Sequence, residues 1–214
     1  PPEPIAIDTV EELQLIGNDL DYPLNGSYYL TQDIDASDTI NWNSGQGFNP
    51  IGELPQKAEM GNGEFTGYFD GQGHSINDLY INRPDFAGRG LFGALAYGAT
   101  VERLTLNNAT ISGASGVGGI AGRVDDAIIS NCSVNGQISG SYTVGGIAGN
   151  VFTSTISRCS TSGTVSGEGS VGGILGFNNG LVSESFSTSA VSAISSEAGG
   201  IAGYNLGTLA NCFA

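Results

Sequence analysis

From Gly90 onward the apolar β-formers come in short runs, such as Ile120 to Val124, then Ile128-Ile129 and Cys132, then Ile138, broken by Gly, Asn, Asp and Ser. No run is long enough to carry a helical pattern, so each stretch reads as about three short strands joined by turns. The arrangement then repeats. Val117-Gly118-Gly119-Ile120-Ala121-Gly122 returns as Val144 to Gly149, Val171 to Gly176 and Ala198 to Gly203, with a 27-residue step each time. Such a unit is too small to bury its own apolar face and gains a core by stacking on its neighbours. Three strands per copy fit one coil of a parallel β-helix, whose coils stack at about 4.8 Å with equivalent positions in ladders. The predicted fold class is therefore all-β: a right-handed parallel β-helix of about 27-residue coils.

The predicted inward ladders are Ile120, Ile147, Ile174 and Ile201; Val101, Ile129, Ile156, Val182 and Leu209; and Ile111, Ile138, Val165 and Val191. The recurring glycines read as corners, where the chain takes a positive φ or another backbone comes close. A phosphate-cradling loop would need a helix after it, which this sequence lacks. The fourth copy reaches Val191 one residue early and regains phase before Gly199, so corners tolerate length change while ladders do not.

Upstream, Asp8 to Gly17 holds a capping residue, a Glu three places on, apolar residues at 10, 13 and 16, and a Gly stop. It predicts a short N-terminal capping helix over 9–16 that closes the open end of the solenoid. Strands are predicted at Tyr28–Ile34, Phe65–Phe69 and Ser75–Ile81, with irregular loops at Gly45 to Pro50 and Pro55 to Gly63. The organisation expected is one continuous solenoid, with cap and irregular first coils over 1–86 and regular repeat coils over 87–214. The last copy stops in mid-coil at Phe213-Ala214. The expectation is that further chain follows it, or that the uncapped coil associates end to end with another molecule.

The segments Arg89-Gly90-Leu91-Phe92-Gly93 and Val117 to Gly122, with its three later copies, resemble GLUG-motif repeats; Phe65 to Asn82 resembles the leader that precedes them. Such repeats occur in bacterial surface adhesins and in non-catalytic regions of IgA1-specific peptidases. The resemblance implies a secreted or cell-surface bacterial protein and leaves the activity open, because the repeats serve as spacers and binding surfaces on diverse proteins.

Charge narrows the partners. The formal charge is −15, and nearly all of it falls in residues 1–86. An acidic surface repels phosphate backbones and anionic lipid, so nucleic acid is excluded as a partner. No stretch of 18 apolar residues predicts membrane insertion. Host or environmental glycans and proteins remain. Cys132 and Cys159 are one repeat apart, Cys212 takes the matching place in the last copy and Leu104 that in the first, so these predict free, buried thiols acting as small hydrophobes.

Candidate chemistry is sparse. His74, the single histidine, sits in a turn, and no HExxH zinc motif occurs. Asp33, Asp35 and Asp38 form the densest carboxylate cluster, which reads either as turn capping or as calcium ligation, the calcium pattern being incomplete. No catalytic residue, metal site or cofactor is assigned. Trp42, Phe48, Tyr68 and Tyr80 are the candidate ligand-binding residues, on loops of a rigid scaffold; alternatively, the aromatics of this half fill wider first coils. Outward Ser and Thr at Thr110, Ser112, Ser139, Thr164, Ser166 and Ser192 form a polar ladder interrupted by Gln137 and Ala190. The function expected is that of a non-enzymatic stalk or adhesive module. A carbohydrate-active β-helix, a polysaccharide lyase or hydrolase with its site in residues 33–85, is the alternative.

Overall fold

The computed structural model describes residues 3–53 and 63–214. Among these, the strands form three sheets of eleven, eight and four strands in which neighbouring strands run parallel, in a solenoid of about seven turns. The register follows the repeat. Val117, Val144, Val171 and Ala198 pair in sequence, as do Gly118, Gly145, Gly172 and Gly199 on the four-stranded sheet. In the eleven-stranded sheet Val101, Ile129, Ile156, Val182 and Leu209 form one column, continued upstream by Phe69, Tyr28 and Ile5. Ile81, Ile111, Ile138, Val165 and Val191 form another in the eight-stranded sheet. Ile120 donates its amide to Ile147, Ile147 to Ile174 and Ile174 to Ile201, each at 2.9 Å. All three predicted ladders are present, and their side chains join one apolar core running from Ile7 to Val182, with Val191 and Ile201 partly buried against it and Leu209 of the last coil exposed.

The conserved step is kept by placing length changes at corners. The fourth coil loses its residue between Phe152 and Thr155 of the preceding coil's register, and recovers it before Ala198. In the glycine columns the reason is close approach rather than handedness: neither Gly118 nor any of its equivalents has a positive φ. A Cβ on Gly145 would lie 2.2 Å from the Ala148 carbonyl oxygen and 2.6 Å from the Gly176 nitrogen on the next coil. One column of left-handed corners is instead built from non-glycine residues. Arg103, Asn131, Arg158, Glu184 and Asn211, each just before the Leu104/Cys column, have φ between 50 and 54°.

The helix α1 spans Val10–Leu15, with Thr9 as its N-cap accepting from the Glu12 amide at 3.2 Å and Glu12 accepting from the Asp8 amide at 2.7 Å. Val10, Leu13 and Ile16 are buried in the first coil, as the amphipathic spacing requires. The irregular coils differ from expectation in detail. The expected strand at Tyr28–Ile34 breaks into Ser27–Leu30 and Ile34–Asp35, and the one at Ser75–Ile81 divides at Asp78, whose φ is 60°. Ser37–Gly45 adds short 3-10 turns that are broken by a kink at Trp42 to Ser44. Most of the Pro55 to Gly63 loop lies outside the described residues. Phe65 packs on Phe92 at 5.0 Å and Phe69 on Phe92 at 5.5 Å, so aromatic rings fill the wider first coils.

The three cysteines are free thiols, Cys132 and Cys159 buried and Cys212 half-buried. They share a column with Leu104 and Ser185, whose hydroxyl accepts from the Cys159 amide at 3.0 Å. Burial pushes the Cys132 thiol well above its usual range, which suits a packing role.

Candidate functional site

The four candidate aromatics do not converge. Phe48 is wholly buried and Trp42 half-buried, with ring centroids 6.3 Å apart. The Phe48 ring therefore has no face to offer a ligand, because the irregular first coil needs it as filling. Its amide donates to the Tyr80 carbonyl at 2.9 Å, which ties Tyr80 to the same corner. Tyr80 lies on the eight-stranded sheet and Tyr68 on the eleven-stranded one. Tyr68 is exposed and donates its hydroxyl to Glu102 at 2.5 Å. Burial, then the bond to Glu102, pushes the Tyr68 phenol up to about 12. A phenol this hard to ionise is a hydrogen-bonding group and not a base at neutral pH.

Tyr68 belongs to a polar cluster. Asp70, buried at 5 % exposure, receives a two-pronged guanidinium from Arg103 and the Gln72 amide, and Arg103 also faces Glu102 at 3.7 Å. With Glu3, Pro4, Tyr28 and Tyr29, Tyr68 and Asp70 line a cleft of about 510 Å³ at the N-terminal end. Both carboxylate oxygens of Asp70 are thus engaged by structural partners, and the group is held in place by an opposite charge.

A second cleft, about 330 Å³, is lined by Asp8, Glu11, Asp33, Asp35 and Asp38 beside the start of α1. Here Asp35 caps a turn and Asp33 reaches across to another coil. Asp33 accepts from the Ser75 amide at 2.8 Å and Asp35 from the Ser37 amide at 2.9 Å. These backbone bonds hold both carboxyls below the usual carboxylate range. Among the described residues no three His, Cys, Asp or Glu side chains are grouped to hold a metal ion. His74 places Nδ1 3.4 Å from Asp33 at an exposed turn. A carboxyl with a lowered folded pKa adds stability above its unfolded value of about 3.9 and loses it as pH falls through the folded value. Asp33→Asn should therefore flatten the acid limb of a melting-temperature profile below about pH 4. An unchanged acid limb would show that the Asp33 bond to Ser75 is not formed in solution.

One aromatic feature escaped the sequence reading. On the outer face of the eleven-stranded sheet Phe152 packs tilted on Phe177 at 5.3 Å and Phe177 stacks on Tyr204 at 5.9 Å, with the Arg123 guanidinium 4.7 Å over Phe152. Phe177 and Tyr204 are one repeat apart, and that was the available signal.

Residues 113–139 match the family model of the GLUG motif. Over 57% of its length the chain is 44% identical to Halomucin of Haloquadratum walsbyi, and over 61% it is 31% identical to a protein of Evansella cellulosilytica described as a Gly-rich membrane protein. These matches span 1% and 14% of the two relatives. A crystal structure from Bacteroides ovatus, described as that of a candidate immunoglobulin A1 protease, shares the fold, with a TM-score of 0.66 and 22% identity across 98% of this chain and 74% of that one. The solenoid described above is thus a parallel β-helix that carries the GLUG motif.

Proposed function

We propose that this chain is a rigid, non-catalytic segment of a secreted or cell-surface protein, serving as a stalk or adhesive module. The observation that carries the proposal is that three acidic groups of its clefts are engaged in architecture: Asp33 ties one coil to Ser75 of the next, Asp35 holds a turn, and Asp70 is locked by Arg103. General acid–base work needs a carboxyl free to exchange a proton beside a substrate. The likeness to short portions of Halomucin and of a Gly-rich membrane protein supports a surface location and a role as one piece of a longer assembly. The acidic cleft at residues 33–38 is what favours the carbohydrate-active alternative.

The test is incubation of the purified chain with acidic and neutral polysaccharides and with immunoglobulin A1, with and without calcium. No new reducing ends and no cleaved polypeptide are expected. Turnover that Asp35→Ala abolishes would overturn the proposal in favour of the enzyme.

A further inference from the structure

Each coil presents two outward positions on the same stretch of the eight-stranded sheet. Thr110, Gln137 and Thr164 pair across three coils in one column, and Ser112, Ser139 and Ser166 in the next, with no bulge between them. Ser192 carries the second column onto a fourth coil. The inward residues between them, Ile111, Ile138 and Val165, are buried, so the outward side chains stand on a rigid wall. Among the described residues none of these outward side chains has a hydrogen-bond partner in the protein, whereas their neighbours do: Asn107 bonds Asn77 at 3.1 Å and Asn135 bonds Ser162 at 2.8 Å.

Charge is absent from the four strands that build this surface. The strands Thr105–Gly113, Ser133–Ser139, Ser160–Gly167 and Ala190–Ala193 contain no Asp, Glu, Lys or Arg, in a chain that carries 21 acidic and 6 basic residues. At the far end of the sheet Phe186, which pairs with Ser160, stacks on Phe213 with centroids 5.2 Å apart, and both rings are exposed.

We propose that this face binds a linear neutral polysaccharide lying along the solenoid axis, a partner that deepens the module reading above and rests on it. A row of hydroxyls and amides offers both donors and acceptors, which is what a polyhydroxyl chain requires. Its step is one coil, about 4.8 Å, close to the length of one pyranose ring in an extended chain. The exposed phenylalanines offer apolar surface for a sugar ring at one end. The uncharged strands mean that no ion on them is desolvated on binding, and the acidic remainder of the molecule turns away polyanions. Two shallow clefts of about 260 Å³ mark the borders of the face, one beside Tyr80 and Thr110, the other beside Ser139 and Ser166, and the single carboxylate in each, Asp78 and Glu168, stands at the border rather than on the strands.

Native gels cast with hydroxyethylcellulose, galactomannan or dextran test the inference, each mobility being referred to a gel without polymer. The wild type should be retarded by at least one of the three and not by carboxymethylcellulose. Gln137→Arg should weaken that retardation at least tenfold at an unchanged melting temperature, and Thr164→Arg repeats the test on the neighbouring coil. Thr208→Arg, on the outer side of the eleven-stranded sheet, makes the same change in charge and should bind like the wild type. Absence of retardation by all three neutral polymers, equal retardation by carboxymethylcellulose, or wild-type binding by both face variants would overturn the proposal. Arrested ice growth without polymer retardation would assign the face to ice and overturn it equally. None of these outcomes touches the non-catalytic reading, which only turnover would sink.

Discussion

Ile147→Asp is expected to cost more than about 4 kcal/mol and to abolish cooperative folding near physiological temperature. Ile147 is wholly buried, between Ile120 and Ile174 on the adjoining coils. A carboxylate there would meet aliphatic side chains above and below, with no base or donor to satisfy it, and it could escape only by protonation or by opening the stack. Ser141→Asp is the matched control. Ser141 is only half-buried, and its hydrogen bonds are made by its backbone, so the same charge should change stability by less than about 0.5 kcal/mol. Urea unfolding of the two variants checks this, and similar midpoints would contradict the coil register.

The second large effect concerns a single methyl group. Gly145→Ala should destabilise the chain by about 3 kcal/mol, at the upper end of what overpacking costs, because the new carbon meets backbone atoms rather than a side chain that can rotate away. The contacts are the Ala148 oxygen at 2.2 Å and the Gly176 nitrogen and Leu175 Cα at 2.6 Å, on its own coil and on the next. Gly63→Ala is the comparison, since among the described residues nothing lies within 4 Å of its would-be Cβ and its φ is not positive. Thermal unfolding should separate the two by many degrees. If Gly145→Ala melts with Gly63→Ala, the coils are not packed as closely as the register demands.

What the sequence made legible follows from repetition. A residue recurring at a fixed step, as Ile120, Ile147 and Ile174 do, has its environment set by its own copies above and below. The N-terminal coils have no such copies, so periodicity could not tell that Phe48 faces inward while Tyr68 faces out. The glycine columns were legible as corners but not as to cause, since composition does not distinguish a positive φ from a close contact. The left-handed corners at Arg103, Arg158 and Glu184 were hidden because those residue types rarely adopt that conformation; Asn131 and Asn211 in the same column were the hint. Polar residues inside the late coils were missed as well. Asn178 stands where Val124 and Val151 stand in earlier coils, and it is accommodated by donating to Asn205 at 2.7 Å and accepting from the Gly180 amide at 3.0 Å.

Residue-resolved hydrogen exchange on the intact chain tests the stacked-coil account most directly. Amides that donate from one coil to the next should exchange slowly in a pattern that repeats every 27 residues, with Ile120, Ile147 and Ile174 among the most protected. Protection without that period, or fast exchange at Ile147 beside slow exchange at its neighbours outside the ladder, would contradict it.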